Sequence, residues 1–440
     1  MNQSRRKVHA LRIAQSAIMM LLLAANTFSA RAQETRRFAL TNARIETVSY
    51  GAIENGTLLL EGDRITAMGT NIEIPADATV IDCAGLTVYP GFIDSGTQLG
   101  LSEVGSDPRT RDFSETGDLT PHVQALTAVN PNSVLIPVTR VSGVTTALAQ
   151  PSGGLFPGTA ALINLHGYTP NQMLVPGSET VVLQFPVTGR RGGFDQRSEE
   201  DIEKADKEAM KKLDDMWDRA ELYATLDSSF TANPSAKRTT EYVPEVAALL
   251  PAARGERPLL VVVNRAGDIE KAIEWVEERN IPLPIFSGVA EGWRVATALA
   301  EADIPVIVGP ILALPSRESD RYDRAYSNAA LLAEAGVRIA IRTGETENVR
   351  NLPFHAGFAA AYGLGRETAL RAVTLTPAEI FGVAEDIGSI EVGKRANVFV
   401  ADGDPFEPAT QIMHVFIDGY NVPLESRHTR LYDEFLQRSR

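Results

Sequence analysis

The chain has 440 residues, of which 44% are hydrophobic and 22% are charged, so a disordered protein is excluded. This length is too great for one small domain and suits a large barrel with a smaller companion domain. Because 56 Asp and Glu residues outnumber 42 Lys and Arg residues, the net charge is −14, which argues against a nucleic-acid-binding protein. The single cysteine, Cys83, excludes an intramolecular disulfide framework and a cysteine-rich zinc site.

Residues 1–32 have the pattern of a secretory signal peptide. Basic residues at 5–7 precede the apolar run 17–25, and a small-x-small cleavage signal follows at 30–32. The segment carries five positive charges and no negative ones, so its removal would lower the net charge from −14 to −19. We expect an exported protein, periplasmic or secreted, with no membrane span after cleavage. An uncleaved anchor is the alternative, and the sequence does not choose between general and twin-arginine export.

Residues 33–88 have the alternating pattern of β-strands. Apolar and polar residues alternate over 38–45 and 57–68, and turn residues such as Asn55-Gly56 and Gly62-Asp63 interrupt them. The pattern returns within 385–425, after a long segment of a different kind. We therefore expect the two ends of the chain to meet in one small composite β-sandwich, followed by a terminal helix or tail at 426–440.

Residues 89–384 carry short apolar runs separated by segments of helical periodicity. The apolar runs include 143–149, 259–263, 284–286, 304–308 and 337–341, and the helical segments include 269–279, 292–302, 328–335 and 367–373. Continuous apolar strands that alternate with helices predict a parallel sheet covered on both faces. A spacing of about twenty to thirty residues per strand–helix unit favours an α/β fold of the (β/α)8 TIM-like barrel type.

A charged helical insertion is predicted at 198–223. Its apolar residues, among them Leu213 and Trp217, fall on one stripe, and Ser198 with Asp201 forms a plausible N-terminal cap. A lid or an interface helix is one interpretation, and an ordinary amphipathic helix on the outside of the barrel is the other.

Short motifs along the chain resemble those of the amidohydrolase superfamily, in particular its imidazolonepropionase-like branch of exported metal-dependent hydrolases. The resemblance covers nearly the whole chain after the signal segment. It rests on NGTL at 55–58, EGDRI at 61–65, PGFID at 90–94, SGVTT at 142–146, ALRAVT at 369–374, TPA at 376–378 and IGSIEVGK at 387–394.

The resemblance implies a distorted (β/α)8 barrel and a composite β-sandwich. In active members, four histidines, an aspartate and often a bridging lysine or glutamate hold one or two divalent metals, zinc or another, at the barrel's C-terminal mouth. The metal lowers the pKa of a bound water and polarises the scissile carbonyl. The reaction implied is hydrolysis of C–N bonds in amides and cyclic amides.

This sequence departs from the family pattern at each ligand position. The expected His-x-His pair, bridging lysine, two further histidines and aspartate fall on Gly96-Thr97-Gln98, near Asn164, at Val262 or Asn264, near Ser287, and at Gly344. Within the barrel only His122, His166 and His355 remain, and none of them ends an apolar strand. We therefore predict no metal ligands, no catalytic residues and no cofactor.

Polar residues near the predicted strand ends are candidates for ligand binding. They are Gln98, Asn164, Asn264, Arg265 and Arg342. Arg342 is the best supported of these candidates, because a charge inside an apolar strand must face a partner or a ligand. A pocket for a small amide or carboxylate-bearing ligand is one interpretation, and a structural ion pair is the other.

Two classes of function remain. The first is a non-catalytic exported protein that binds a ligand, as a homo-oligomer or as a hetero-oligomer with an active amidohydrolase. The second is a divergent hydrolase of C–N bonds with a rearranged metal site or with no metal. The fold cannot choose between them, because function resides in the site. The simultaneous departure at every ligand position favours the first class.

Overall fold

The computed structural model describes residues 36–190, 195–232 and 241–438, so the predicted signal peptide 1–32 lies outside the described residues. Within these ranges the chain forms sixteen strands in two eight-stranded sheets. The strands are β1 (Arg37–Glu46), β2 (Ala52–Glu61), β3 (Arg64–Gly69), β4 (Thr79–Asp82), β5 (Thr87–Pro90), β6 (Phe92–Thr97), β7 (Val144–Ala149), β8 (Gly158–Asn164), β9 (Thr180–Gln184), β10 (Leu259–Val263), β11 (Pro284–Gly288), β12 (Val306–Val308), β13 (Ile339–Ile341), β14 (Val398–Ala401), β15 (Ile412–Ile417) and β16 (Tyr420–Val422).

The first sheet joins the two ends of the chain. Its order is β16-β15-β14-β5-β1-β2-β3, with β4 paired to β1. The connection is the antiparallel pair β5–β14, in which Val88 faces Val400. Both of these side chains are fully buried, together with Leu40 and Phe416. Burial of one shared apolar face by both segments stabilises the companion domain that the sequence predicts.

The second sheet is the barrel, and its strands follow one another from β6 to β13 in chain order. The side chains of β6, β7 and β8 are buried throughout, as expected for strands covered on both faces. The first and last strands approach each other, and the Gly344 amide donates to the Gly96 carbonyl at 3.0 Å. The nearly closed sheet confirms the predicted TIM-like barrel.

One strand of the barrel runs against the others, which corrects the expectation of a purely parallel sheet. β8 is antiparallel to both β7 and β9, whereas β6–β7 and all pairs from β9 to β13 are parallel. A strand that is apolar on both faces carries no mark of its direction, so the sequence pattern does not reveal the reversal. The carboxyl end of β8 therefore lies at the end of the barrel opposite the other carboxyl ends.

Helices surround the barrel between its strands. The α-helices are Ala125–Ala128, Leu135–Arg140, Pro170–Met173, Glu199–Ala232, Pro244–Ala247, Leu250–Ala253, Ala266–Glu278, Ala296–Glu301, Arg324–Glu334, Leu352–Ala359, Arg366–Ala372, Leu375–Ile380 and Arg427–Arg438. Short 3₁₀ turns occupy Pro108–Thr110, Gly292–Arg294 and Val349–Asn351, and a π-helical turn occupies Ala360–Leu364. Among the described residues, no helix is both long and apolar enough to cross a membrane.

The charged insertion is one helix of 34 residues, Glu199–Ala232, which extends past the predicted end at 223. The Asp201 amide donates to the Ser198 hydroxyl at 3.1 Å, so the predicted cap is present. Trp217 is buried edge-on against Trp275 of helix Ala266–Glu278, with ring centroids 5.6 Å apart. This packing places the helix on the outer surface of the barrel.

Candidate functional site

The carboxyl ends of the parallel barrel strands meet at one rim and enclose a cavity of about 190 Å³, here called the mouth cavity. Its polar lining comes from several different strands, since Gln98 follows β6, Gln150 follows β7 and Gln184 ends β9. Arg342, directly after β13, completes the wall. The cavity therefore combines amide side chains with one guanidinium group.

Arg342 is the dominant charge at the mouth. Its Nη1 donates to Ser287 Oγ at 3.0 Å and lies 3.4 Å from Gln150 Oε1. The side chain is half-buried, and burial lowers the pKa of Arg342 to about 10. Within the described part of the chain, no carboxylate lies within ion-pair distance of this guanidinium. Arg342 is therefore a cation held among neutral partners.

Asp94 is an acidic group whose charge raises the pKa of Arg342, but its hydrogen bonds are to Thr343 and Gly96 and not to the guanidinium. The Thr343 hydroxyl donates to Asp94 Oδ2 at 2.5 Å, and the Thr343 and Gly96 amides donate to Oδ1 at 3.2 and 3.1 Å. Asp94 is fully buried, and this burial raises the pKa of its carboxyl to about 6. Its role in the structure is to fasten β6 to the segment after β13.

Gly96 gives Arg342 the space it occupies. A Cβ atom at position 96 would lie 2.9 Å from Arg342 Cδ and 3.0 Å from Gln150 Oε1. Contacts this short force a neighbouring group to move. A histidine at the first position of the His-x-His pair and the observed Arg342 side chain therefore exclude each other.

Arg342 also borders a second cavity of about 190 Å³, here called the side cavity. Asn264, Trp293, Asp320 and Arg324 contribute polar or aromatic groups to its wall. Glu291, the residue after the lining residue Ala290, accepts two hydrogen bonds of 2.6 Å from Arg317. Burial opposes ionisation of Glu291, but Arg317 outweighs it and holds the pKa of this carboxyl below its usual range.

The structure brings together only some of the predicted site residues. Gln98 and Arg342 line the mouth cavity, and Asn264 lines the side cavity. Arg265 lies outside the lining of both, with its Nη1 donating to the Thr188 carbonyl at 2.7 Å. The sequence analysis missed Gln150, which directly follows the predicted apolar run 143–149, and Gln184, which follows no predicted strand.

Asn164 is not at the mouth, which corrects its assignment to the candidate site. It ends the reversed strand β8, is 1% exposed, and accepts hydrogen bonds from Thr146 Oγ1 at 3.0 Å and Asn397 Nδ2 at 2.9 Å. Its own Nδ2 donates to Asp418 Oδ2 at 2.9 Å. Asn164 therefore ties the barrel to the companion domain at the opposite end.

Replacement of this amide tests that assignment. We expect Asn164→Leu to lower the free energy of unfolding by about 1–3 kcal/mol, because Asn397 and Thr146 lose a buried partner. Urea denaturation measures the loss, and ligand binding at the mouth should stay unchanged. A variant with native stability but altered ligand affinity would contradict this assignment and show that Asn164 takes part in ligand binding.

Comparison with known proteins agrees with this architecture. Residues 277–422 match the model of the amidohydrolase family. An amidohydrolase structure from Thermotoga maritima MSB8 superimposes with a TM-score of 0.75 and 26% identity, over 88% of this chain and 99% of that one. The chain belongs to the amidohydrolase superfamily.

Curated relatives in the amidohydrolase superfamily match over part of their length. Amidohydrolase tasK of Hapsidospora irregularis is 24% identical over 83% of this chain, and an imidazolonepropionase of Syntrophobacter fumaroxidans is 34% identical over 27% of it. The matches span 39% and 27% of those relatives' own lengths. This chain thus covers less than half of either curated relative.

The residues at the mouth do not fit the divalent metal that the superfamily implies. Zinc is held by imidazole, thiolate and carboxylate ligands, whereas this mouth presents amides, the hydroxyls of Thr97 and Ser152, and the guanidinium of Arg342. The described ranges contain no group of three or more His, Cys, Asp or Glu side chains placed to hold a metal ion. His355 lies outside the lining of both cavities, and its Nδ1 accepts from the Ile311 amide at 3.1 Å.

Proposed function

We propose that this member of the amidohydrolase superfamily binds a small carboxylate- or amide-bearing ligand at the barrel mouth, without a metal ion and without catalysis. The observation that carries the proposal is Arg342, a guanidinium at the rim with no ion-pair partner among the described side chains. The departure from the family's ligand pattern at Gly96 and Gln98 supports it. The mouth would then serve for recognition rather than for activation of water.

The energetics of burial favour an anionic occupant. A charge removed from water is costly unless it gains a partner of opposite charge, and Arg342 has only neutral hydrogen-bond acceptors beside it. A carboxylate is the group that matches the planar fork of a guanidinium. The amides of Gln98 and Gln184 add donors and acceptors that suit a carboxylate or an amide.

Metal dependence tests this proposal directly. We expect the purified chain to contain no stoichiometric metal, and its affinity for a panel of short monocarboxylates and primary amides to be unchanged after dialysis against EDTA. Elemental analysis and titration calorimetry give the two measurements. One tightly held zinc ion per chain, or binding that disappears with the chelator and returns with zinc, would overturn the proposal.

A second candidate is hydrolysis of a C–N bond by a rearranged site. The relatives' names favour it, since they include an amidohydrolase and an N-substituted formamide deformylase from Arthrobacter pascens. A screen of amide and cyclic amide substrates, with and without added Zn²⁺, separates the two candidates. Turnover that Arg342→Gln abolishes would establish the second candidate.

Export and assembly are further proposals that rest on the sequence. We infer that the chain is exported, periplasmic or secreted, and works as a homo-oligomer or beside an active amidohydrolase. N-terminal sequencing of protein from fractionated cells should find a start after residue 32. Size-exclusion chromatography of the same preparation should show a complex larger than one chain.

A further inference from the structure

The side cavity has two guanidinium groups in its wall. Arg342 reaches it from the rim after β13, and Arg324 reaches it from the start of helix Arg324–Glu334. Neither guanidinium has a carboxylate within ion-pair distance in the part of the chain that the structure describes. The cavity thus offers two guanidinium groups without an ion-pair partner among the described side chains, and Asp94 acts on Arg342 through its charge alone.

The acidic groups nearby are already paired with other basic residues. Asp320, the one carboxylate in the lining, forms an ion pair with Arg294, and its side chain is 5% exposed. Asp323 pairs with Arg321 at 2.7 Å. Each of these carboxylates forms its ion pair with an arginine other than the two at the cavity wall, and Asp320 Oδ2 is buried without a hydrogen-bond partner.

Arg324 is held in place by an aromatic ring. Its guanidinium carbon lies 4.6 Å from the centroid of Trp293, a favourable cation–π distance. The Trp293 amide donates to Asn328 Oδ1 at 2.9 Å, and the Asn328 amide group donates to the Val289 carbonyl at 2.8 Å. The side chain is therefore positioned before any ligand arrives, which lowers the entropic cost of binding.

Part of the wall of the side cavity is apolar. Val308, Pro310 and Ala313 line the same cavity, whose volume of about 190 Å³ is below the range typical of drug-sized ligands. An unbranched apolar chain beside these residues, with an anionic group at each end, would complement the wall. A ligand with one carboxylate would leave one guanidinium without a partner.

We propose that the side cavity binds a small dicarboxylate, with one carboxylate on Arg342 and the other on Arg324. The inference rests on the proposed function, because Arg342 is the anion-binding group in both. It assigns Arg324 as the residue that distinguishes dicarboxylates from monocarboxylates. The ligand's methylene groups lie along the apolar wall.

A series of unbranched dicarboxylates from malonate to adipate tests the assignment, with monocarboxylates of the same chain lengths as references. By titration calorimetry, we expect the best-fitting dicarboxylate to bind the unaltered chain at least about tenfold tighter than its monocarboxylate, the gain typical of one more partly buried ion pair. Arg324→Gln should remove this preference and leave monocarboxylate affinity unchanged. Arg324→Lys should keep part of it.

Arg338→Gln is the matched control, because it removes the same charge from an exposed side chain outside the lining of both cavities. It should keep the dicarboxylate preference, and thermal unfolding should show that each variant is folded. If Arg324→Gln keeps the preference while Arg342→Gln abolishes monocarboxylate binding, the dicarboxylate inference is wrong and the proposed function stands. If the unaltered chain binds no carboxylate, both fail.

Discussion

Replacement of Arg342 by glutamine is expected to weaken the binding of a carboxylate ligand by at least about thirtyfold. The change removes the positive charge from the mouth, and loss of one partner of a desolvated, hydrogen-bonded charge pair costs about 2–5 kcal/mol. Glutamine keeps a polar side chain at this position. The loss of affinity therefore measures the contribution of the positive charge and of the two parallel hydrogen bonds that a guanidinium can donate. Titration calorimetry with the best monocarboxylate of the panel measures it.

The same substitution should not destabilise the chain without ligand. At a pH below the pKa of Asp94, where that carboxyl is protonated, Arg342 has only neutral partners, and burial of its charge is itself unfavourable, so its removal should leave the free energy of unfolding equal or higher. Arg338→Gln, at an exposed side chain, is the matched control for net charge and should leave affinity intact. A large loss of stability in Arg342→Gln, with affinity retained, would show that the guanidinium has a structural role.

Much of the barrel could be predicted because its buried strands are continuous apolar runs. Leu259–Val263 has the predicted bounds, and the helices Ala266–Glu278 and Arg366–Ala372 lie close to theirs. The sequence analysis missed β8 and β9, which follow β7 without the long helical crossovers that mark the later strands. An antiparallel neighbour needs no crossover helix, so the strand–helix alternation that identifies the other strands is absent there.

The candidate site could be predicted only where a residue conflicts with its surroundings. Arg342 stands out because a charge directly after an apolar strand is unusual without a functional or structural reason. Gln150 and Gln184 give no such signal, since a neutral amide at a strand end is ordinary and the strand before Gln184 was not predicted. Asn164 was misplaced because the direction of its strand is a property of the folded sheet, and direction decides which rim receives the residue.

Asp94→Asn is expected to change how stability depends on pH. Burial raises the pKa of Asp94 to about 6 in the folded chain, against an ordinary value of 3.8. The folded chain therefore binds this proton more firmly than the unfolded chain, and the group's contribution to the free energy of unfolding falls as pH rises from about 4 to 6. The shift corresponds to about 3 kcal/mol. Asparagine cannot ionise. The free energy of unfolding of the variant, relative to that of the unaltered chain, should therefore rise by this amount between pH 4 and pH 7.

Urea denaturation of both proteins across this range isolates the effect of Asp94. Other carboxylates, such as Glu391 with its pKa lowered to about 2, titrate alike in both chains and cancel in the difference. A difference that does not vary with pH would show that folding leaves the pKa of Asp94 unchanged, and one that falls as pH rises would show that the fold favours the ionised carboxylate. When both chains also carry Arg342→Gln, the stability difference should rise at a higher pH, because the positive charge that favours ionised Asp94 is gone. The two side chains would then be coupled through their charges although they share no hydrogen bond.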